Sequence, residues 1–123
     1  MDARRTLFAA AIAMTVAVAL GAFGAHALKT QLAADALAIW QTAVQYHAWH
    51  ALGLFGVGLW LQHAPDKRAL RLAAWLLLGG IVLFSGSLYA LALTGARSLG
   101  ALTPAGGLAL VAAWVVLAKA ALG

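Results

Sequence analysis

The chain of 123 residues carries 65% hydrophobic and only 9% charged side chains, against about 45–50% and about 25% in soluble domains, so the composition is that of a membrane protein. The net charge is +5, but the lysines and arginines are scattered and flank apolar runs, which excludes the continuous basic groove that nucleic acid requires. Cysteine is absent, which excludes disulfides, thiolate metal sites and thiol nucleophiles, and Asp2, Asp35 and Asp66 all lie outside the apolar runs, which removes paired-carboxylate chemistry from the membrane.

Residues 1–5 are short and basic, and residues 6–28 are almost wholly apolar. A positive start, an apolar middle and Ala25-His26-Ala27 have the form of a secretory signal with its small-residue cleavage site. The run, however, exceeds the ~7–15 residues of a signal core and is long enough to cross ~30 Å of hydrocarbon. Ala9, Ala13, Ala17, Gly21 and Ala25 recur every four residues, a ridge of small side chains that lets a neighbouring backbone approach in lipid. A retained first span is therefore expected.

Residues 29–38 form a polar break, and the second helix is expected to start near residues 31–35 and to cross over about 39–62. Ala64-Pro65 stops it. Asp66 is placed to cap a third helix, apolar over about 70–94, and Gly95 fits the left-handed position that ends it. Thr103-Pro104 reads as an N-cap followed by a first-turn proline for a fourth span over about 104–122, with Lys119 able to reach the headgroups. The expectation is an all-α integral membrane protein: one domain, residues 1–123, folded as a four-transmembrane-helix bundle. Arg4, Arg5, Lys67, Arg68, Arg71 and Lys119 would lie on one side and Lys29 and Arg97 on the other. Six against two places both termini in the cytoplasm. Trp60 and Trp75 then fall near the inner interface and Trp40 near the outer one.

Within the second span, Gln45, Tyr46, His47 and His50 put four polar side chains into six residues of an apolar run. An unpartnered polar group taken out of water costs roughly 2–7 kcal/mol, so such groups face a bundle interior or a wet cavity and are functional-site candidates. At helical spacing Thr42, Tyr46, His50 and Gly53 share a stripe bordered by Gln41, Gln45 and His47. Ser85 and Tyr89 share a face of the third helix while Ser87 points away. His26 and Thr103 lie at the same, outer end. The candidate binding cluster is thus His50, Tyr46, Ser85, Tyr89, His26, Thr42 and Gln45, with His50 enclosed between the second and third helices near Ser85 or Tyr89. Ala13, Ala17, Gly21, Ala25, Gly86, Gly106 and Gly107 are the expected packing points. No cofactor is predicted. A haem or metal held by His26, His47 and His50 is a lesser alternative, since no carboxylate or thiolate would help the imidazoles. Ser85 and Ser87 near a histidine lack an acid to orient the ring, which argues against a hydrolase.

The motifs Gly21-Ala22-Phe23-Gly24-Ala25-His26, Gln41-Thr42 with Tyr46 and His50, Phe84-Ser85-Gly86-Ser87-Leu88-Tyr89, and Thr103-Pro104 with Gly106-Gly107 together resemble those of the YgdD-like family of small inner-membrane proteins. The resemblance covers essentially the whole chain. It implies a multi-span helical protein of the bacterial cytoplasmic membrane and a domain of unknown function, with no activity attached. Relatives often carry glutamine at the position of His47, which weighs against His47 and His50 acting as a pair. Three functions stay open. The first is a non-catalytic bundle that contacts lipid and associates with itself or with a larger membrane complex. The second is a membrane-embedded binding protein for a lipid, quinone or other amphiphile in a pocket near His50. The third is a small proton or solute pathway through His50.

Overall fold

The computed structural model describes all of residues 1–123 and contains helices and turns but no strand. Helix α1 (Ala3–His26) begins ahead of the apolar run because the Asp2 carboxylate caps it, accepting the Arg5 amide at 2.8 Å. A 3₁₀ turn (Leu28–Thr30) leads to α2 (Ala34–His63), whose 30 residues reach about 45 Å, well beyond a hydrocarbon core. Pro65 lies in the turn that follows, closed by the Lys67 amide on the Ala64 carbonyl at 3.2 Å. Asp66 is used up in that turn, so the expected cap falls one residue too early and Lys67 takes the N-cap position without a side-chain bond.

Helix α3 (Arg68–Gly80), a π-helical stretch (Ile81–Ser85) and α4 (Gly86–Thr94) form one continuous rod. In the π stretch the Gly86 amide reaches back to the Ile81 carbonyl, which widens one turn. Gly95, at φ +69°, ends the rod in the left-handed conformation, its amide on the Leu91 carbonyl at 2.8 Å. After a second 3₁₀ turn (Arg97–Ala101), α5 (Thr103–Ala121) starts with Pro104 in its first turn. Thr103 is already helical and is not the cap; its hydroxyl is turned across to Ser87.

The four rods do not close into a ring. Helix α1 packs along α2, α2 packs against α3, the π stretch and α4, and α5 packs against α3 and the π stretch, leaving α1 and α5 on opposite flanks. One apolar core joins them at the end nearer the Pro65 turn: Leu54, Leu61, Leu70, Leu77, Leu110 and Leu117, with alanines between them. The outer surface is apolar too, with Phe8, Val18, Trp75, Val82 and Leu108 each more than half exposed. Three segments, Ala3–His26, Arg68–Thr94 and Arg97–Ala121, are long and apolar enough to cross a membrane. Helix α2 has the length, but Gln41, Gln45, Tyr46, His47 and His50 dilute its apolarity.

Candidate functional site

The buried side of α2 is the seam Trp40, Ala43, His47, His50, Leu54, Val57 and Leu61, with Ala51 and Gly58 beside it. Its spacing alternates between three and four residues, the repeat that keeps a helix face turned to one neighbour. Of the expected stripe Thr42, Tyr46, His50 and Gly53, only His50 lies on this seam; Thr42 and Tyr46, with the bordering Gln45, are exposed. On α1 the buried residues are Thr6, Ala10, Ala17 and Gly24, with Ala9 half-buried against the core. Ala17 is common to this set and the expected ridge, Ala13 is half-buried, and Ala25 is exposed. A Cβ on Gly21 would lie 3.2 Å from the Val44 side chain.

Polar side chains on this framework cross from rod to rod. His47 is buried, and its Nδ1 shares a 2.9 Å hydrogen bond with the Tyr89 hydroxyl of α4. The Tyr89 ring lies against Trp40 at 4.7 Å and meets His47 edge-on. Trp40 Nε1 donates to the Leu20 carbonyl of α1 at 2.9 Å. Gly24 makes that reach possible, since a Cβ there would sit 2.5 Å from the indole nitrogen. Ser85, 1% exposed, donates to the Ala43 carbonyl of α2 at 2.8 Å. Ser87 points away from α2, as its spacing predicts, but it is buried all the same: its hydroxyl donates to the Phe84 carbonyl at 2.9 Å, so the 2.7 Å bond to α5 is donated by the Thr103 hydroxyl. One such bond thus joins α1 to α2, two join α2 to the central rod, and one joins that rod to α5. Interhelical hydrogen bonds in membranes are each worth on the order of 0.6–2 kcal/mol.

His50 is buried but does not meet Ser85 or Tyr89. Its Nδ1 donates to the Tyr46 carbonyl of its own helix at 2.6 Å, and its ring faces Trp114 of α5. His47 therefore holds the place between helices that the sequence assigns to His50. Tyr46 lies at the surface, stacked nearly parallel to His50 and tilted against Phe84 at 4.7 Å. His26 is exposed at the end of α1 and joins nothing. His26, His47 and His50 do not converge, and no three His, Asp or Glu side chains are grouped to hold a metal. Of the small residues, Gly106 presses against the Phe84 backbone, where no Cβ fits, and Gly107 would meet the Phe84 ring at ordinary contact. Gly86 has open space before it. Sequence spacing missed Trp40, Ser87 and Thr103 as partners. Only Gly24, a gap matched to a large side chain, pointed towards Trp40.

Because the rods form an open zigzag, two apolar grooves remain. One, of about 490 Å³, lies between α1 and the central rod, with His47 and Tyr89 at its polar end and Ile12, Val16, Val82 and Gly86 along it. The other, of about 530 Å³, lies between α2 and α5 and is lined by Tyr46, His50, Phe84, Leu108, Val111 and Trp114 among others.

Residues 20–107 match the family described as a protein of unknown function (DUF423). The chain is 47% identical over 111 residues to the UPF0382 membrane protein YwdK of Bacillus subtilis, covering 90% of each protein. It is 38% identical over 123 residues to the UPF0382 inner membrane protein YgdD of Escherichia coli, covering 95% of this chain and 88% of that one. A UPF0382 membrane protein of Staphylococcus epidermidis is 47% identical over 107 residues, covering 87% and 86%. No solved structure matches the chain.

Proposed function

Since this chain belongs to the DUF423 family of proteins of unknown function, we infer that it is a multi-pass protein of the bacterial cytoplasmic membrane that acts without catalysis, as an assembly or accessory component. In this reading all four rods cross the bilayer with both termini in the cytoplasm, and the protein associates with copies of itself or with a larger membrane complex. One observation carries the inference. Every side-chain nitrogen or oxygen sealed inside the protein has a hydrogen-bond partner within it. A reaction centre keeps groups in reserve for substrate, whereas Trp40, His47, Tyr89, Ser85, Ser87 and Thr103 are spent on joining helices, which is how polar groups fix helix register in lipid.

The open zigzag supports association in the same way. A rod pair that does not close leaves both flanks apolar and unpartnered within the chain. A proton or solute pathway fits less well. Beyond the level of His50 the core is leucine, alanine and valine, and the buried polar side chain there, Thr6, is spent on the Asp2 carbonyl of its own helix. Association is testable on the full chain, fluorescently tagged and expressed at native abundance. Single-molecule photobleaching should show more than one copy per spot, or gentle purification should recover a stoichiometric membrane subunit. Single copies with no stoichiometric companion would overturn the inference.

A further inference from the structure

His50 is 8% exposed, and its Nδ1 lies 2.6 Å from the Tyr46 carbonyl. A carbonyl can only accept, so Nδ1 carries the proton, and Nε2 of the neutral ring is left with a lone pair and no proton. No residue bonds Nε2, yet no sealed polar atom in the protein lacks a partner, so this nitrogen opens to the surface. What it opens into is the groove between α2 and α5.

The groove has a shape and a polarity. Pro104 and Trp114 both line it, ten residues and therefore about 15 Å apart along α5. Pro104 stands in the first turn of α5, at the mouth, and Trp114 stands edge-on to His50 at 6.1 Å, at the deep end. Tyr46 is one turn of α2 nearer the mouth. No charged side chain lines the groove at any level. A phospholipid fits this poorly: its charged headgroup belongs at the membrane surface, and a charge carried down to the level of His50 would find nothing to pair with. An acyl chain alone would leave the lone pair unused.

We propose that the α2–α5 groove is a binding site for an uncharged hydrophobe bearing a hydroxyl group, such as a long-chain alcohol or a quinol, which donates its hydroxyl proton as a hydrogen bond to His50 Nε2. The hydrocarbon body lies against Phe84, Leu108 and Val111, and the Trp114 edge closes the deep end. The site goes beyond the association proposed above, but its depth rests on α2 and α5 crossing the bilayer as placed there. Cysteine labelling tests that placement without reference to any ligand, so the two can fail separately.

The test uses the full chain in phosphatidylcholine nanodiscs, titrated with 1-hexadecanol, with its methyl ether, which lacks the donor, and with hexadecanoate, which is charged. Two readouts are followed: the melting temperature and the nitrogen NMR resonance of His50 Nε2, assigned through His50→Leu. Hexadecanol should raise the melting temperature saturably and move the Nε2 resonance. The ether should need roughly two- to tenfold more for the same effect, the value of one hydrogen bond, and should leave Nε2 unmoved. Val111→Phe, which puts a larger side chain into the groove from an exposed position, should abolish both responses while retaining native helicity. Equal responses to alcohol and ether, an equal response to hexadecanoate, or a response that survives Val111→Phe would each overturn the proposal. So would an Nε2 resonance that hexadecanol leaves in place, because water would then be its partner.

Discussion

At the level of single residues, the bundle is tied by side chains that meet across helices. His47 and Tyr89 are the most direct case, since each is the other's polar partner at 2.9 Å. His47→Ala should lower stability in mild detergent by about 1–3 kcal/mol, because it opens a cavity in the seam and leaves the half-buried tyrosine hydroxyl unpaired. His47→Gln should recover much of that loss, since an amide still accepts. A double-mutant cycle with Tyr89→Phe should return a coupling of roughly 0.6–1.7 kcal/mol; additive losses would mean that the two side chains are neighbours and not partners. Gly24 gives a second test. Gly24→Ala puts a methyl group where the Trp40 indole now lies and should cost less once Trp40→Phe has already removed the bond to Leu20. Full additivity in chemical denaturation would contradict that. The polar character of this layer is legible in the sequence, because histidine, tyrosine and serine inside an apolar run must find partners within the protein. Which histidine takes which partner is not legible there. His47 and His50 are three residues apart on one seam, and only the positions of α4 and α5 decide that the first meets Tyr89 and the second Trp114.

At the level of helices, the ends were written locally and the faces were not. Pro65, Gly95 and Pro104 fix where rods stop or start because each acts on its own backbone. The caps at Asp66 and Thr103 failed for a different reason: a turn residue and a cross-helix bond claimed them first. The α2 stripe was centred on the wrong residues: packing buries Trp40, Ala43, His47 and His50 at alternating steps of three and four, and leaves Thr42 and Tyr46 at the surface. The π stretch left no periodic signal at all. It lies where α5 comes closest, with Gly106 against the Phe84 backbone. Gly106→Ala should therefore push α5 off the central rod and cost about 1–3 kcal/mol. Gly86→Ala, with nothing within 4 Å of its new methyl group, should be neutral or raise stability by about 0.5–1 kcal/mol. Equal losses at the two glycines in thermal denaturation would show that the close approach at Gly106 is not what positions α5.

At the level of the whole molecule, the open arrangement of rods connects the interior to the function inferred for it. Leucine and alanine pack one half, hydrogen bonds tie the other, and the two flanks are left for lipid or protein. All of this depends on α2 crossing the membrane, although it is the one long helix too polar to qualify on apolarity alone. Its cost is offset only if His47 and its neighbours are paired inside the protein. The chain has no cysteine, so single cysteines report topology without background. Placed in turn at Lys29, Lys67, Ser98 and Gly123, they should divide cleanly when intact cells meet an impermeant thiol reagent: Lys29 and Ser98 labelled from outside, Lys67 and Gly123 only after permeabilisation. Lys67 reacting from the same side as Lys29 would mean that α2 lies along the membrane, and would contradict the account at its centre.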